Sequence, residues 1–385
     1  MSGIPAQTPI ERKIIILPGL LDIADASHSV LAEPGSAMRE LVSLARVVKL
    51  NPAHGGLAEA CWVGLDPESV HLSQGALAIS ALGVDPPERS VHFDLSLLSV
   101  SEDGTLAEAS HQLSPHDART LAEQAKRLET KSLISVIGQV VDHGLVWLDG
   151  SDELATTSPT SAFGKPWNTV LPEGDGEPLL RAFIDDSLNL LNDHEVNQRR
   201  RDEGLPPANI LWPWGQGFRR PLPNLALRRG EIVTAFSPLA RWQGFMRLVG
   251  YRHADRSKAL RGVFPAPRFM SDFINHPGSA IFGTFGASAM RKHERWDHLE
   301  ELMADLDEHL FTPLVLRQKD AALTGKRIEW LIHCPGPLVE GKMHPGLALT
   351  TLLRTQGIPF DERVLDDPKV PSYALHEPIR DLLES

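Results

Sequence analysis

The 385-residue chain has few cysteines and no long apolar run. Its two cysteines, Cys61 and Cys334, lie far apart in the sequence, which excludes a disulfide framework and a cysteine-rich zinc site. No apolar stretch reaches the length of a transmembrane helix. The first one, residues 14–21, is interrupted by Pro18-Gly19 and does not fit a secretory signal. We therefore predict a cytoplasmic protein whose two thiols are reduced.

An excess of positive charge is also missing. The net charge of −12 argues against nucleic acid as the main partner, because binding a phosphate backbone needs a basic face. A small anionic ligand stays compatible with this charge, since a few local arginines can bind one phosphate. The 42% hydrophobic content is that of a globular protein, and the length predicts two domains.

Short apolar strands alternate with helical segments towards both ends of the chain. Residues 13–17 (KIIIL) predict a buried strand, and β-then-α order returns after residue 210. The middle predicts a strand over 90–100 and one long helix over 177–203, while residues 346–355 predict another helix near the end. The simplest architecture is an α/β core sheet flanked by helices. We assign residues 1–84 and 209–385 to that core, and residues 85–208 to an inserted, smaller α+β domain.

The most informative segment is residues 193–217, DHEVNQRRRDEGLPPANILWPWGQG. It predicts a helix end, a break at Gly204 and Pro206-Pro207, and an apolar strand over residues 209–214 that enters Gly215-Gln216-Gly217. This segment resembles one in the archaeal-type 2,3-bisphosphoglycerate-independent phosphoglycerate mutases of the alkaline phosphatase superfamily. There a helix leads through Gly-x-x-Pro-Ala-Asn to a strand of the form Trp-x-Trp-Gly-x-Gly. Residues 82–86 (LGVDP) and 99–106 (SVSEDGTL) resemble further parts of that family, which has a metallophosphatase-like core with an inserted domain.

The resemblance implies a chemistry with two divalent ions, manganese or zinc, and a serine nucleophile that one ion activates. At the position of the first-strand aspartate ligand this chain has Pro18, and at the position of the nucleophile it has Gln74. The aspartate of a later Asp-x-x-x-His pair matches Ala289. The resemblance therefore implies a divergent or degenerate member that has lost the metal-dependent phosphoryl-transfer site. Such a pseudoenzyme would need no cofactor and would act in binding or regulation.

A rearranged active site is the alternative. Asp22 or Asp25 could then hold manganese or zinc together with histidines that the resemblance places near the end of the core sheet. These histidines are His293, His333 and His344. The nucleophile would be a serine, with Ser69 and Ser73 as candidates and Ser80 nearby. Acids and serines at such positions also favour turns and helix caps, which is the competing interpretation.

Two arginines are candidates for binding an anion. Arg219 and Arg220 follow the glycines of WPWGQG, and a guanidinium group suits the geometry of a phosphate. The cluster at residues 199–201 is instead typical of a helix C-terminus, where positive charge complements the dipole. The predicted partner is a small phosphorylated ligand or a protein. A purely structural interaction role, with Trp212 and Trp214 at a partner surface, is a further alternative.

Overall fold

The computed structural model describes residues 10–18, 37, 40–41, 45–51, 58–109, 113–138, 142–261, 264–284, 296–334, 338–339, 342–343, 346–350, 358–359, 372–374 and 376–384. The chain forms two compact units. The first unit comprises residues 1–71, 223–239 and 249–385, and the second comprises residues 72–222 and 240–248. The division predicted from sequence, at residues 85 and 208, stays a prediction.

The strands in chain order are β1 Ile10–Ile16, β2 Arg46–Asn51, β3 Ser90–Val100, β4 Leu106–Glu108, β5 Leu133–Ile137, β6 His143–Leu148, β7 Leu154–Ala155, β8 Glu173–Gly174, β9 Ile210–Phe218, β10 Thr234–Phe236, β11 Arg252–His253, β12 Leu260–Arg261, β13 Phe264–Pro265, β14 Ala280–Gly283, β15 Arg327–Cys334, β16 Leu338–Val339, β17 Lys342–Met343, β18 Gly346–Thr350, β19 Ile358–Pro359 and β20 Ser372–Ala374.

The α-helices are α1 Ala58–Cys61, α2 Gln74–Ala81, α3 Pro115–Glu123, α4 Pro159–Ala162, α5 Glu177–Asn192, α6 Glu195–Asp202, α7 Leu225–Arg229, α8 Ala240–Leu248, α9 Pro267–Ile274, α10 Trp296–Leu306, α11 Thr312–Thr324 and α12 Glu377–Glu384. A π-helical turn, Asp307–Phe311, joins α10 and α11. Within the described residues no helix is both long enough and apolar enough to cross a membrane.

The first unit contains a nine-stranded mixed sheet. Its strands run in the order β11, β10, β14, β1, β15, β18, β2 and β19, and β20 also pairs with β2. From β11 to β15 every pair is parallel, whereas β18 is antiparallel to both of its neighbours. The described core on this sheet is built from aromatic and aliphatic side chains, including Phe236, Phe273 and Phe282. The predicted α/β class, a parallel-strand sheet flanked by helices, is confirmed.

Strand β1 is central in this sheet because it is apolar and pairs on both sides. It is parallel to β14 and to β15, and Ile14, Ile15 and Ile16 are fully buried. Lys13 is equally buried, and its Nζ donates to the backbone oxygens of His276 (2.6 Å) and Gly278 (3.1 Å). Burial lowers the pKa of Lys13 to about 8. The two carbonyl oxygens satisfy an ammonium group that would otherwise be costly to bury.

The second unit is built on a five-stranded antiparallel sheet. Strand β3 pairs with β6, and β6 pairs with β5. On its other side β3 pairs with β9 over most of its length and with β4 near its end. The predicted strand over residues 90–100 is confirmed, and the predicted strand at WPW continues through both glycines to Phe218.

Helix α2 is the buried helix of the second unit. Seven consecutive residues, Gly75 to Ala81, are buried. Two glycines allow this packing. A Cβ on Gly75 would lie 2.1 Å from the backbone oxygen of His92 in β3, and one on Gly244 of α8 would lie 2.0 Å from the backbone oxygen of Leu77. Because no side chain fits at either position, α2 lies in backbone contact with β3 and with α8.

Two predictions of secondary structure are wrong. The helix expected over 346–355 is a strand where it is described, β18, which pairs between β15 and β2. The single helix expected over 177–203 is two helices, because α5 ends before Asp193 and His194 begins α6 as its N-cap. The Nδ1 atom of His194 accepts a hydrogen bond from the backbone N–H of Val196 (3.2 Å).

Candidate functional site

The carboxyl edge of the parallel strands in the first unit is where α/β folds place their ligand sites. Ser237 follows β10, Thr284 follows β14, Leu17-Pro18 follow β1, and β15 ends with His333-Cys334. The Leu17 N–H donates to the His333 oxygen (2.9 Å), and the Thr284 N–H donates to the Ile16 oxygen (3.2 Å). None of these described positions carries a carboxylate, the ligand type that the family resemblance implies here.

The candidate metal ligands are only partly placed. His333 is fully buried in β15 and faces Ile16 in register. Asp22, Asp25, His293 and His344, together with Ala289, lie outside the described residues. In the part of the chain that the structure describes, no group of three or more His, Cys, Asp and Glu side chains is arranged to hold a metal ion. The described residues therefore do not form the donor set of a two-metal centre.

The two cysteines are free and buried. Burial raises the pKa of the Cys61 thiol to about 12 and raises the pKa of the Cys334 thiol even more strongly. A thiol must lose its proton to ligate a metal or to attack a substrate. Both thiols are therefore protonated near neutral pH, which is typical of apolar core residues.

The candidate serines have local structural contacts. Ser69 is exposed in a short 3₁₀ turn, where its Oγ donates to the backbone oxygen of Asp66 (2.7 Å). Ser73 is the N-cap of α2, and its Oγ accepts a hydrogen bond from the Ala76 N–H (3.1 Å). Ser80 is buried within α2. Their assignment as nucleophiles stays a prediction.

Gln74, which the resemblance matches to the family's nucleophile, is the first residue of α2. Its Nε2 donates a hydrogen bond to Oδ2 of Asp94 on β3 (3.3 Å). A carboxamide is not a nucleophile, so the first turn of this helix presents a hydrogen-bonding group where the resemblance implies a reactive one. The pair of Gln74 and Asp94 is the centre of a polar site in the second unit.

The glycines of WPWGQG bring β9 against this helix start. A Cβ on Gly215 would lie 2.6 Å from Cβ of Gln74, and one on Gly217 would lie 2.6 Å from Cβ of Ser73. Gly215 also has a φ of +66°, which favours glycine. The motif thus has a steric role, since its two glycines leave room for the Ser73 and Gln74 side chains.

A cavity of about 430 Å³ opens beside the Gln74–Asp94 pair, and we call it the Asp94 pocket. Its polar lining consists of Gln74, Asp94, Ser96, Glu108, Asp142, His143, Thr160 and Arg241. Burial raises the pKa of Asp94 to about 6, against the smaller opposing effects of the Gln74 hydrogen bond and the Arg241 charge. A carboxyl group with this pKa can accept or donate a proton near neutral pH.

The charges of the Asp94 pocket do not match those of a phosphate. Three acidic side chains, Asp94, Glu108 and Asp142, line it together with a single arginine, Arg241. Such a lining suits a neutral or cationic polar group better than a dianion. Neither Asp94 nor Arg241 was found from the sequence. Asp94 is one polar residue in an alternating strand, and only the pairing of β3 behind α2 reveals its setting.

The two arginines predicted to bind an anion lie after β9. Arg219 and Arg247 both donate to the carboxylate of Asp85, the latter at 3.2 Å. The hydrogen bond from Arg219 contributes most to holding the pKa of Asp85 below its usual value. Arg220 is exposed and has no side-chain partner among the described residues. The group formed by Arg219, Arg220, Arg247 and Asp85 is thus a cationic surface patch of the second unit, and ligand binding there stays a prediction.

Comparison with known proteins finds similarity to phosphoglycerate mutases. The sequence model for 2,3-bisphosphoglycerate-independent phosphoglycerate mutase matches residues 47–197. The enzyme of that name from Methanothrix thermoacetophila is 29% identical over 217 residues, covering 55% of this chain and 54% of its own length. The one from Methanopyrus kandleri is 25% identical over 272 residues, covering 63% and 64%. The chain thus spans about half to two thirds of the length of these curated relatives.

Similarity of fold extends further along the chain than similarity of sequence. The cofactor-independent phosphoglycerate mutase of Thermoplasma acidophilum superposes with a TM-score of 0.56 at 14% identity, covering 97% of this chain and all of its own. A Pyrococcus horikoshii protein superposes with a TM-score of 0.65 at 15% identity, covering 98% of both chains. The sequence matches confirm the predicted resemblance to the 2,3-bisphosphoglycerate-independent phosphoglycerate mutases, and the solved structures show that the fold is shared.

Proposed function

We propose that this chain is a phosphoglycerate mutase-like protein that has lost metal-dependent phosphoryl transfer and acts by binding a small phosphorylated molecule. The observation that carries the proposal is Gln74. It lies inside the segment that the family's sequence model matches, at the position where the resemblance implies the nucleophilic serine. Its carboxamide donates to Asp94 and cannot be phosphorylated in the serine's place.

The end of β1 supports the same proposal. Pro18 stands where the resemblance implies an aspartate ligand, and a proline side chain has no donor atom. Replacing a carboxylate ligand removes charge that a divalent ion needs, and without the ion a serine hydroxyl is a weak nucleophile. Loss at both positions would remove a metal ligand and the nucleophile on which the family's reaction depends, while the fold is retained.

The first test is turnover of 3-phosphoglycerate by the full chain, followed by ³¹P NMR in the presence of Mn²⁺ or Zn²⁺. We expect no conversion to 2-phosphoglycerate above the protein-free blank. The variant Gln74→Ser is expected to stay inactive as well, because Pro18 is unchanged. Conversion by the unmodified chain that a chelator abolishes would overturn the proposal and favour the alternative, an active mutase or phosphatase with a rearranged site.

Binding is tested separately, by the thermal shift that 3-phosphoglycerate causes. We expect 3-phosphoglycerate to raise the melting temperature. If the cationic surface patch that contains Arg219 and Arg220 holds the phosphate, Arg220→Gln should weaken binding about tenfold. Arg89 is another exposed arginine of the second unit, and Arg89→Gln is the matched control. Binding of equal strength in both variants would place the phosphate elsewhere. No stabilisation at any concentration would contradict the binding role itself.

A further inference from the structure

A cavity of about 940 Å³ lies in the first unit at the amino-terminal edge of its parallel strands, and we call it the Arg228 groove. It is lined by residues from the start of β1, from α7 and from α12, and by the turn at residues 64–66. Its size is that of a small-molecule site. The catalytic chemistry of α/β folds lies at the opposite, carboxyl edge, so this groove is not explained by the family's reaction.

The lining is rich in cationic side chains. Arg12, Arg228, Arg229, Arg380 and His376 border the groove, together with three acids. Two of those acids form ion pairs in the wall. Glu231 pairs with Arg12 (3.2 Å) and also accepts a hydrogen bond from the Ser279 hydroxyl. Glu384 pairs with Arg229 (3.4 Å).

The third acid, Asp66, has a local role. Its carboxylate accepts a hydrogen bond from the backbone N–H of Glu68 (3.0 Å) as the N-cap of a 3₁₀ turn. The acids of the groove therefore neutralise Arg12 and Arg229 or cap a turn. Arg228 and Arg380 are the arginines of the lining that these three acids do not pair with, and His376 also lines the groove.

Arg228 is available for a ligand. It is exposed on α7, and among the described residues its guanidinium has no hydrogen bond and no ion pair. Arg380 has two acidic neighbours on its own helix, Glu377 at 3.8 Å and Asp381 at 3.9 Å. These N–O distances are too long for hydrogen bonds. His376 likewise has no side-chain partner in the described part of the chain.

The frame around these side chains is fixed. Arg229 is largely buried, and its Nη1 donates to the Val63 oxygen (2.8 Å) and to the Tyr251 hydroxyl (3.0 Å). Gly64, with a φ of +76°, lies so close to α12 that a Cβ there would be 2.6 Å from Cα of Arg380. The turn at Gly64 and the helix that carries Arg380 are thus in backbone contact. A site with such a frame is largely preformed for binding.

We propose that the Arg228 groove binds a small organic anion through a phosphate or carboxylate group held by Arg228 and Arg380. A guanidinium binds either oxyanion through two parallel hydrogen bonds. His376 adds a third polar contact. The apolar part of the ligand packs on Ile10, Leu65, Leu225 and Leu383, which also line the groove. The proposal does not depend on the loss of catalysis, because it uses no residue of the carboxyl edge or of the Asp94 pocket.

The test is isothermal titration of the full chain with inorganic phosphate and with citrate, at constant ionic strength set by chloride. We expect one or both oxyanions to bind with a Kd on the order of 0.1–1 mM, typical of a small ligand held by a few charged hydrogen bonds. Arg228→Gln and Arg380→Gln should each weaken that binding about tenfold or more. Arg228→Lys keeps the positive charge but loses the planar guanidinium group that makes two parallel hydrogen bonds. Its affinity for the oxyanion should lie between that of Arg228→Gln and that of the unmodified chain.

Arg268 is the matched control, since it is an exposed arginine of the same unit outside the groove. Arg268→Gln should leave the affinity unchanged. Arg228 has no side-chain partner among the described residues, so Arg228→Gln should also keep the melting temperature of the ligand-free protein. Binding of phosphate alone identifies a phosphorylated ligand, and binding of citrate alone identifies a carboxylate. Absence of binding by both, or equal weakening by Arg228→Gln and Arg268→Gln, would overturn the proposal.

Discussion

At the scale of single residues, Gln74 and Asp94 form a hydrogen-bonded pair in which Asp94 is the group that titrates. The resemblance implies a reactive hydroxyl where this chain has Gln74, and the Gln74 carboxamide donates a hydrogen bond to the buried carboxyl group of Asp94. The pKa of Asp94 rises to about 6 because burial disfavours its charged form more than Gln74 and Arg241 favour it. Near neutral pH the folded protein therefore carries a charge that its surroundings only partly stabilise.

Asp94→Asn should stabilise the protein in a pH-dependent way. The folded-state pKa lies above the ordinary value, so the stabilisation from Asp94 is fully present below about pH 4 and is lost as the pH rises through about 6. Asparagine does not titrate and can still accept the Gln74 hydrogen bond. We expect the variant to gain on the order of 1–2 kcal/mol of unfolding free energy at pH 8 and nothing at pH 4. Urea unfolding at both pH values measures the difference.

Asp152 is the control for this measurement, since it is an exposed aspartate of the same unit with no side-chain partner among the described residues. Asp152→Asn should change the unfolding free energy little at either pH. If Asp94→Asn were less stable than the unmodified chain at both pH values, the carboxylate would be satisfied by its neighbours, and its raised pKa would be contradicted.

At the scale of elements, α2 depends on glycines in its neighbours. Gly217 of β9 leaves room for Ser73, and Gly244 of α8 leaves room for the backbone of Leu77. A glycine within a helix normally lowers helix stability by about 1 kcal/mol relative to alanine. The presence of Gly244 in α8 is therefore explained by its packing against α2 and not by helix propensity.

The substitution Gly244→Ala distinguishes helix propensity from packing, because the two predict opposite changes in the free energy of unfolding. Helix propensity alone predicts stabilisation of about 1 kcal/mol. The added Cβ would lie 2.0 Å from the Leu77 oxygen, so we expect destabilisation instead, of about 2–3 kcal/mol, as α8 is displaced from α2. Thermal unfolding measured by circular dichroism decides between them. A higher melting temperature would show that the two helices separate at little cost.

Gly204→Ala provides the comparison. Gly204 has a φ of +71° and open space around it, so alanine there meets backbone strain without a clash. We expect Gly204→Ala to lower the free energy of unfolding by about 1 kcal/mol, which is less than the decrease expected for Gly244→Ala. The difference between the two variants measures the steric contribution at the contact of α2 with α8.

The break between α5 and α6, within the helix predicted over residues 177–203, is also a feature of whole elements. Asn197 donates to the backbone oxygens of Leu191 (2.8 Å) and Ala208 (2.9 Å), which ties α5, α6 and the segment before β9 together. Arg200 donates to the Pro206 oxygen (2.9 Å). The helical periodicity of residues 177–203 continues through the break. These contacts, across 6 to 11 residues of sequence, help to hold the turn at Asp193 and His194.

At the scale of the whole molecule, the proposed loss of metal chemistry predicts indifference to chelators. An ion that binds only the folded state raises the unfolding free energy, and its removal lowers the melting temperature. We expect EDTA treatment to change the melting temperature by less than about 1 °C. Elemental mass spectrometry of the desalted protein, after purification with manganese and zinc, should find no stoichiometric metal.

If EDTA lowered the melting temperature by several degrees and Mn²⁺ or Zn²⁺ restored it, the predicted indifference to chelators would be contradicted. Such a result would direct attention to the candidate ligands Asp22, His293, His333 and His344. His344→Ala would then identify the site, since it should remove both the bound ion and the reversal. The predicted cytoplasmic location is independent of this outcome.

Much of this protein follows from its sequence alone. The apolar run at residues 13–17, the alternation at residues 90–100 and the WPWGQG segment predicted the α/β class, two of the main strands and the resemblance to the phosphoglycerate mutases. Pro18 and Gln74 indicated the proposed loss of function for a local reason, since a side chain without the required atom lacks it in any fold. Patterns of this kind depend on neighbours in sequence, which the chain itself displays.

The tertiary structure alone decided the rest. Residues 346–350 became a strand because β15 and β2 offer backbone partners on both sides, a pairing that no local pattern displays. Asp94 acquired a raised pKa from burial behind α2, and Arg228 and Arg380 came to border one groove although about 150 residues separate them. Burial and electrostatic surroundings depend on which distant segments meet. The sequence therefore determined the family resemblance, and the tertiary structure determined which of the charged residues lie close together.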